Sequence, residues 1–195
     1  MERRFLWVAM GLAVVVVIAV AAAALLRGGT TVPYNGSIID PPSPAADFGL
    51  TGPGGRTARL SDYRGKVVLL YFGYTNCPDF CPNTMGVLRK VRADLGAQAD
   101  QVQVLLVTTD PARDTPERLA NYLAAFDSTF IGLTGAEADL QAVYAGYGVT
   151  VMDEGTTHST RVYVVDAGGN LRLTLPYGLT AAQVTADLRR ILQGD

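Results

Sequence analysis

The residues of this chain best suited to chemistry are Cys77, Cys81 and His158, the two thiols and the single imidazole in 195 residues. The thiols lie in Cys77-Pro78-Asp79-Phe80-Cys81-Pro82. One residue more than a Cys-x-x-Cys spacing widens the grip between the sulfurs, which suits bridging a metal and still permits disulfide closure. Two thiolates and an imidazole are the soft, low-coordinate ligand set that Cu(I) takes. Zinc would want a fourth ligand, which Asp153, Glu154 or a water would supply. The same thiols also suit a redox pair. A purely structural disulfide is a poor use of them, because closing so short a loop restrains the unfolded chain very little.

Such side chains need a frame. The apolar run Val67-Val68-Leu69-Leu70-Tyr71-Phe72 ends just before the cysteines and reads as a buried strand. In open α/β sheets, ligands gather at the carboxyl ends of strands, near helix N-termini. Pro82 has no N–H and is at home in a first helical turn, so the sequence predicts Cys81 as the N-cap and Cys77 in the loop before it. A thiolate there feels the helix dipole, which lowers its pKa, while Asp79 works against this by like charge.

Downstream, Met85, Leu88, Val91 and Leu95 mark an amphipathic helix from Asn83 to Leu95. Val102 to Val107 is a second buried strand. Thr115 caps a second helix with Pro116 in its first turn, and residues 136–147 form a third. Thr160 to Val165 and Leu171 to Leu175 are strands joined by a Gly-Gly turn, and Thr180 caps a last helix. Leu50 to Tyr63 reads as a hairpin. The order β, α, β, α, α, β, β, α, with a parallel first half and an antiparallel end, is a thioredoxin-like α/β arrangement: a central mixed sheet flanked by helices.

Phe5 to Leu26 is a run of 22 residues without a charge. As a helix it is about 33 Å long, enough for a bilayer core of roughly 30 Å. Arg3 and Arg4 precede it, so residues 1–27 are expected to form a single-pass membrane anchor with the rest on the extracytoplasmic side. A cleaved signal peptide is the alternative. Residues 28–47, rich in Gly, Pro, Thr and Ser, are expected to be a flexible linker, and 48–195 the folded domain. The net charge of −2 and the lack of a basic stripe argue against nucleic-acid binding.

Tyr71-Phe72-Gly73-Tyr74-Thr75-Asn76-Cys77-Pro78-Asp79-Phe80-Cys81-Pro82 resembles the signature of the Sco/SenC family. So do Val107-Thr108-Thr109-Asp110-Pro111-Ala112-Arg113-Asp114-Thr115-Pro116-Glu117, Phe130-Ile131-Gly132-Leu133-Thr134-Gly135 and the downstream His158, in the same order over roughly residues 45–192. The resemblance implies a thioredoxin-fold copper chaperone. It would bind one copper ion through Cys77, Cys81 and His158, take it from a copper donor protein, and deliver it to the binuclear copper centre of cytochrome c oxidase subunit II. Where the family commonly has Asp before the histidine, this chain has Thr157, which removes a carboxylate beside the ring and leaves the ligands intact.

Two functions of different class follow. One is copper delivery. The other is thiol–disulfide exchange by Cys77 and Cys81, which would reduce the cysteines of the target site. A peroxidase is disfavoured, because neither cysteine has the Thr or Ser three residues before it that a peroxiredoxin-like arrangement would carry. Asp110, Arg113 and Asp114 are read as a loop held by an Asp–Arg pair and by capping rather than as a partner-binding rim. Met85 is read as core and Met152 as a minor candidate ligand. Tyr71, Phe72 and Tyr74 are read as core and pocket wall.

Overall fold

A computed structural model describes residues 33–152, 156–157 and 160–194, with positions 10 and 17. The chain divides into two compact units, Met1–Pro33 and Tyr34–Asp195, of which the second carries the sheet and both cysteines. Apart from Met10 and Val17, the expected anchor lies outside the described residues, and among these no helix is long and apolar enough to cross a membrane.

Ten strands and four α-helices are described: β1 (Ser37–Pro44), β2 (Gly49–Thr51), β3 (Thr57–Arg59), β4 (Val67–Gly73), α1 (Phe80–Leu95), β5 (Val102–Thr108), α2 (Pro116–Ala124), β6 (Ile131–Leu133), α3 (Glu137–Tyr147), β7 (Val151–Met152), β8 (Thr156–Thr157), β9 (Val162–Val165), β10 (Asn170–Leu175) and α4 (Ala181–Leu192). Six of the strands form one sheet in the order β1-β10-β9-β4-β5-β6. β4, β5 and β6 run parallel, whereas β9, β10 and β1 are antiparallel additions. This is the mixed, thioredoxin-like sheet that the motif order predicts. β4 and β5 are buried at every position, as near-continuous apolar runs require of strands covered on both faces.

The two faces carry different cores. Val67, Leu69 and Tyr71 of β4 pack under α1, α2 and α4, with Met85, Leu88, Leu119, Leu123 and Leu188. Val68, Leu70 and Phe72 point the other way, against α3 and the β2–β3 hairpin, with Leu50, Leu140, Tyr144 and Tyr163. Caps fix the helix starts: the Thr115 hydroxyl accepts from Arg118 N at 3.2 Å, and Thr180 forms a capping box with Gln183.

The structure corrects three expectations. First, the linker expected over 28–47 contains β1, which pairs with β10. Its three prolines hide the strand from a propensity reading, but proline is tolerated where no ladder N–H is needed, as on an edge strand. The buried Asp187 carboxylate of α4 anchors its start by accepting from Asn35 N (3.1 Å) and Gly36 N (2.8 Å). Second, Ile131–Leu133 is an edge strand, too short to carry a periodic signal. Third, α1 begins at Phe80 with Asp79 as N-cap, so Cys81 lies inside the first turn rather than at the cap. Pro82 is then at the third position, still among the residues whose N–H has no intrahelical partner.

Candidate functional site

The carboxyl end of β4, the loop Tyr74–Asp79 and the first turn of α1 bring the two cysteines together. Both are free thiols, Cys77 half-buried and Cys81 2 % exposed. The Cys81 backbone N–H points at the Cys77 sulfur at 3.4 Å. The helix N-terminus therefore serves Cys77, the loop cysteine, and Cys81 turns into the core. A β-carbon at Gly73 would lie 2.8 Å from the Cys81 sulfur and 2.7 Å from the Tyr71 ring. Glycine ends β4 because the buried sulfur packs against its backbone.

The two thiols are electrostatically unlike. Burial works to raise the Cys77 pKa, but N–H groups of Cys81, Asp79 and Phe80 and the Cys81 thiol outweigh it, holding Cys77 below the ordinary cysteine value. Burial pushes Cys81 up to about 12. Cys77 is thus the more acidic thiol of the pair and Cys81 the proton holder, and since the thiolate is the nucleophile and ligand, Cys77 is the one more readily available.

Tyrosines wall the site. The Tyr71 hydroxyl, on β4, donates to the Cys81 sulfur at 3.6 Å. Burial, then the nearby Cys77 charge, raises the Tyr74 pKa. The Tyr122 hydroxyl of α2 is buried and has no hydrogen-bond partner among the described residues. On the outer side, Phe80 and Tyr177 are 46 % and 43 % exposed and meet edge to face, with ring centroids 4.9 Å apart. Tyr177 also lines a cleft of about 300 Å³ between α1 and the β10–α4 connection, together with Val87, Leu175 and Val184.

The loop before Cys77 is clamped by Asp114, which is fully buried. Its carboxylate accepts from Thr75 N (3.0 Å), from the Thr75 hydroxyl, and from the Thr108 hydroxyl at the end of β5 (2.7 Å). Arg118 of α2 reaches the same cluster, 2.8 Å from the Thr75 hydroxyl and 3.8 Å from the carboxylate. Asp110 pairs with Arg113, which is 45 % exposed. The expected Asp–Arg pair is thus present as Asp110–Arg113, whereas the helix cap is Thr115 and Asp114 clamps the cysteine loop instead. The action of Asp114 on the cysteine loop goes beyond what its place in the sequence suggests. The available signal was an acidic residue in a turn at the carboxyl end of the neighbouring parallel strand, where loops of adjacent strands meet.

Met85 is buried in the core. Tyr71 and Phe72 are both core, on opposite faces of β4. His158 and the side chain of Met152 lie outside the described residues, as do Asp153 and Glu154. Thr160, two residues after His158, lines the cleft beside α1.

Comparison with known proteins agrees with this arrangement. Residues 38–193 match the family model described as SCO1/SenC. The mitochondrial protein SCO2 homolog of Bos taurus is 36 % identical over 155 residues, 74 % of this chain and 58 % of that protein. The chain thus spans about three fifths of the length of the curated relatives it matches. The solution structure of apo Sco1 from Thermus thermophilus superposes with a TM-score of 0.72 at 35 % identity, covering 84 % of this chain and 99 % of that one. Copper-bound ScoI of Bradyrhizobium japonicum gives 0.67 at 31 % identity, over 76 % of this chain and 99 % of that one.

Proposed function

From the premise that this chain belongs to the SCO1/SenC family, we propose that it is a membrane-anchored copper protein that loads the binuclear copper centre of cytochrome c oxidase subunit II. One copper ion is held by Cys77, Cys81 and His158, received from a donor protein and passed on by ligand exchange. Residues 1–27 anchor the chain, and the domain works on the extracytoplasmic side. The observation that carries the reading is the dithiol itself. Two reduced sulfurs four residues apart sit at the end of a buried strand, one facing a helix N-terminus and one sunk in the core. The donor set fits a soft metal. The copper-bound state of the Bradyrhizobium japonicum relative supports it.

Copper needs both sulfurs as thiolates, so loading displaces the proton that Cys81 holds. Cys77 is the point of first contact, and Cys81 closes the grip from below. The test is the metal content of the reduced full-length chain in detergent, beside Cys77→Ser, Cys81→Ser and His158→Ala. One copper per reduced wild-type chain, little in the cysteine variants and a much weakened site in His158→Ala are expected. Equal uptake by the oxidised protein would refute the assignment.

The unlike thiols favour a second reading, thiol–disulfide exchange. The Cys77 thiolate attacks one sulfur of a target disulfide, forming a mixed disulfide and releasing the other target thiolate. Cys81 then gives up its proton and attacks Cys77, closing Cys77–Cys81 and releasing the second target thiol. His158 has no essential part in this cycle. A His158→Ala strain that keeps normal oxidase activity at limiting copper would favour exchange over delivery.

A further inference from the structure

Tyr71 is buried at 1 % exposure in the middle of the sheet. The core tyrosines on the opposite face direct their hydroxyls to backbone carbonyls. Tyr144 donates to Thr108 O, Tyr147 to Ala46 O at 2.8 Å and Tyr163 to Tyr147 O at 2.9 Å. That is the usual way to satisfy a buried phenol. Tyr71 instead donates to the Cys81 sulfur at 3.6 Å, and its other side-chain partner is Thr84, one turn further along α1 from Cys81. The sulfur is confined from a second side by Gly73, whose missing β-carbon leaves the room it occupies. A buried phenol and a buried sulfur thus meet inside the core, with Thr84 acting on the same hydroxyl.

We infer that Tyr71 is a positioning residue whose hydroxyl holds the Cys81 sulfur by a donated hydrogen bond and favours the reduced, ligand-ready form of the cysteine pair. A reduced sulfur accepts a hydrogen bond better than a disulfide sulfur does, so a donor fixed in the core stabilises the dithiol over the disulfide. When copper is bound, the same donor draws electron density from the ligating sulfur, in the way that hydrogen bonds to cysteine ligands tune copper sites elsewhere. This second consequence rests on the copper reading above; the first does not.

Two measurements on the full chain, for wild type, Tyr71→Phe and Thr84→Val, test it. One is the equilibrium between the Cys77–Cys81 disulfide and dithiothreitol. Two electrons and two protons pass from dithiothreitol to the cysteines, and the reagent closes to its cyclic disulfide. Loss of one hydrogen bond to the reduced sulfur lowers that equilibrium constant roughly three- to tenfold in Tyr71→Phe. Thr84→Val, which leaves the phenol but frees it to turn, lowers it less. The other is the thiolate-to-Cu(II) charge-transfer band of the loaded protein, which moves to longer wavelength in Tyr71→Phe. An unchanged disulfide equilibrium in both variants overturns the inference and leaves Tyr71 as packing alone, even if melting temperatures fall. A shifted equilibrium, with no copper retained by the reduced wild type when either Cu(I) or Cu(II) is offered, supports the positioning role and refutes the copper reading.

Discussion

The two faces of β4 use the same residue types for opposite ends. On one face Phe72 meets Tyr144, Tyr147 and Tyr163, with ring centroids 6.0, 5.5 and 5.7 Å away, and the hydroxyls of those tyrosines tie backbone carbonyls. On the other face Tyr71 lies beside Cys81, and its hydroxyl meets a sulfur. The first face is a closed aromatic cluster with its polar groups satisfied internally, so it fixes the strand. The second leaves a polarisable atom at the strand's end, reachable through Cys77. A single strand thereby anchors a site on one side and builds it on the other.

That contrast is best broken from its structural side. Phe72→Ala opens a cavity in a cluster with no role in thiol chemistry, and is expected to cost about 3–5 kcal/mol of stability while leaving Cys77 reactivity unchanged. Chemical denaturation and a thiol-alkylation rate read the two quantities separately. Loss of reactivity at intact stability would show that the faces are not independent.

Asp114→Ala strands the Thr75 and Thr108 donors and releases the cysteine loop. A loss on the order of 3 kcal/mol is expected, with altered Cys77 alkylation. Asp114→Asn, which keeps an acceptor oxygen, should recover part of both. Gly73→Ala places a methyl group against the Cys81 sulfur. Overpacking of this kind costs about 1–3 kcal/mol, and copper uptake should fall further than stability does. At the small end, Tyr144→Phe removes one buried hydrogen bond to Thr108 O and should cost about 1 kcal/mol, with no change at the thiols.

The difference between the thiols also has a pH signature. The Cys77 pKa lies below its ordinary value, so its alkylation by iodoacetamide should begin at lower pH than for an unfolded cysteine. Cys81 is raised from 9.0 to about 12, so its contribution to stability is fully present below 9.0 and is lost as pH rises toward 12. Comparing reduced wild type with Cys81→Ala across that window isolates the effect. A wild type whose stability falls no faster than that of the variant would contradict the assignment of Cys81 as proton holder.

Sequence alone carried most of this. The runs at 67–72 and 102–107, the caps at Thr115 and Thr180 and the Gly-Gly turn were readable because burial on both faces and cap chemistry leave local marks. Two features left no such mark. β1 is held by Asp187, more than 140 residues away, and its prolines argue against a strand unless the edge position is known. α1 starts two residues before the position the sequence suggests, because Pro82 is compatible with any of the first helical positions. At the site, spacing brought the cysteines together, but their inequality arises from depth. That depth comes from Gly73 and Tyr71, which in a sequence look like ordinary strand residues. The clamp by Asp114 joins two loops that meet only once β4 and β5 pair in parallel.

The most direct test of the central claim is the copper stoichiometry of the chain under reducing and oxidising conditions, with proton release recorded during loading. The account predicts one copper per reduced chain, protons released on binding as Cys81 is deprotonated, and loss of tight binding on oxidation or in Cys81→Ser. Tight, equal binding to the disulfide form, or to Cys81→Ser, would contradict it.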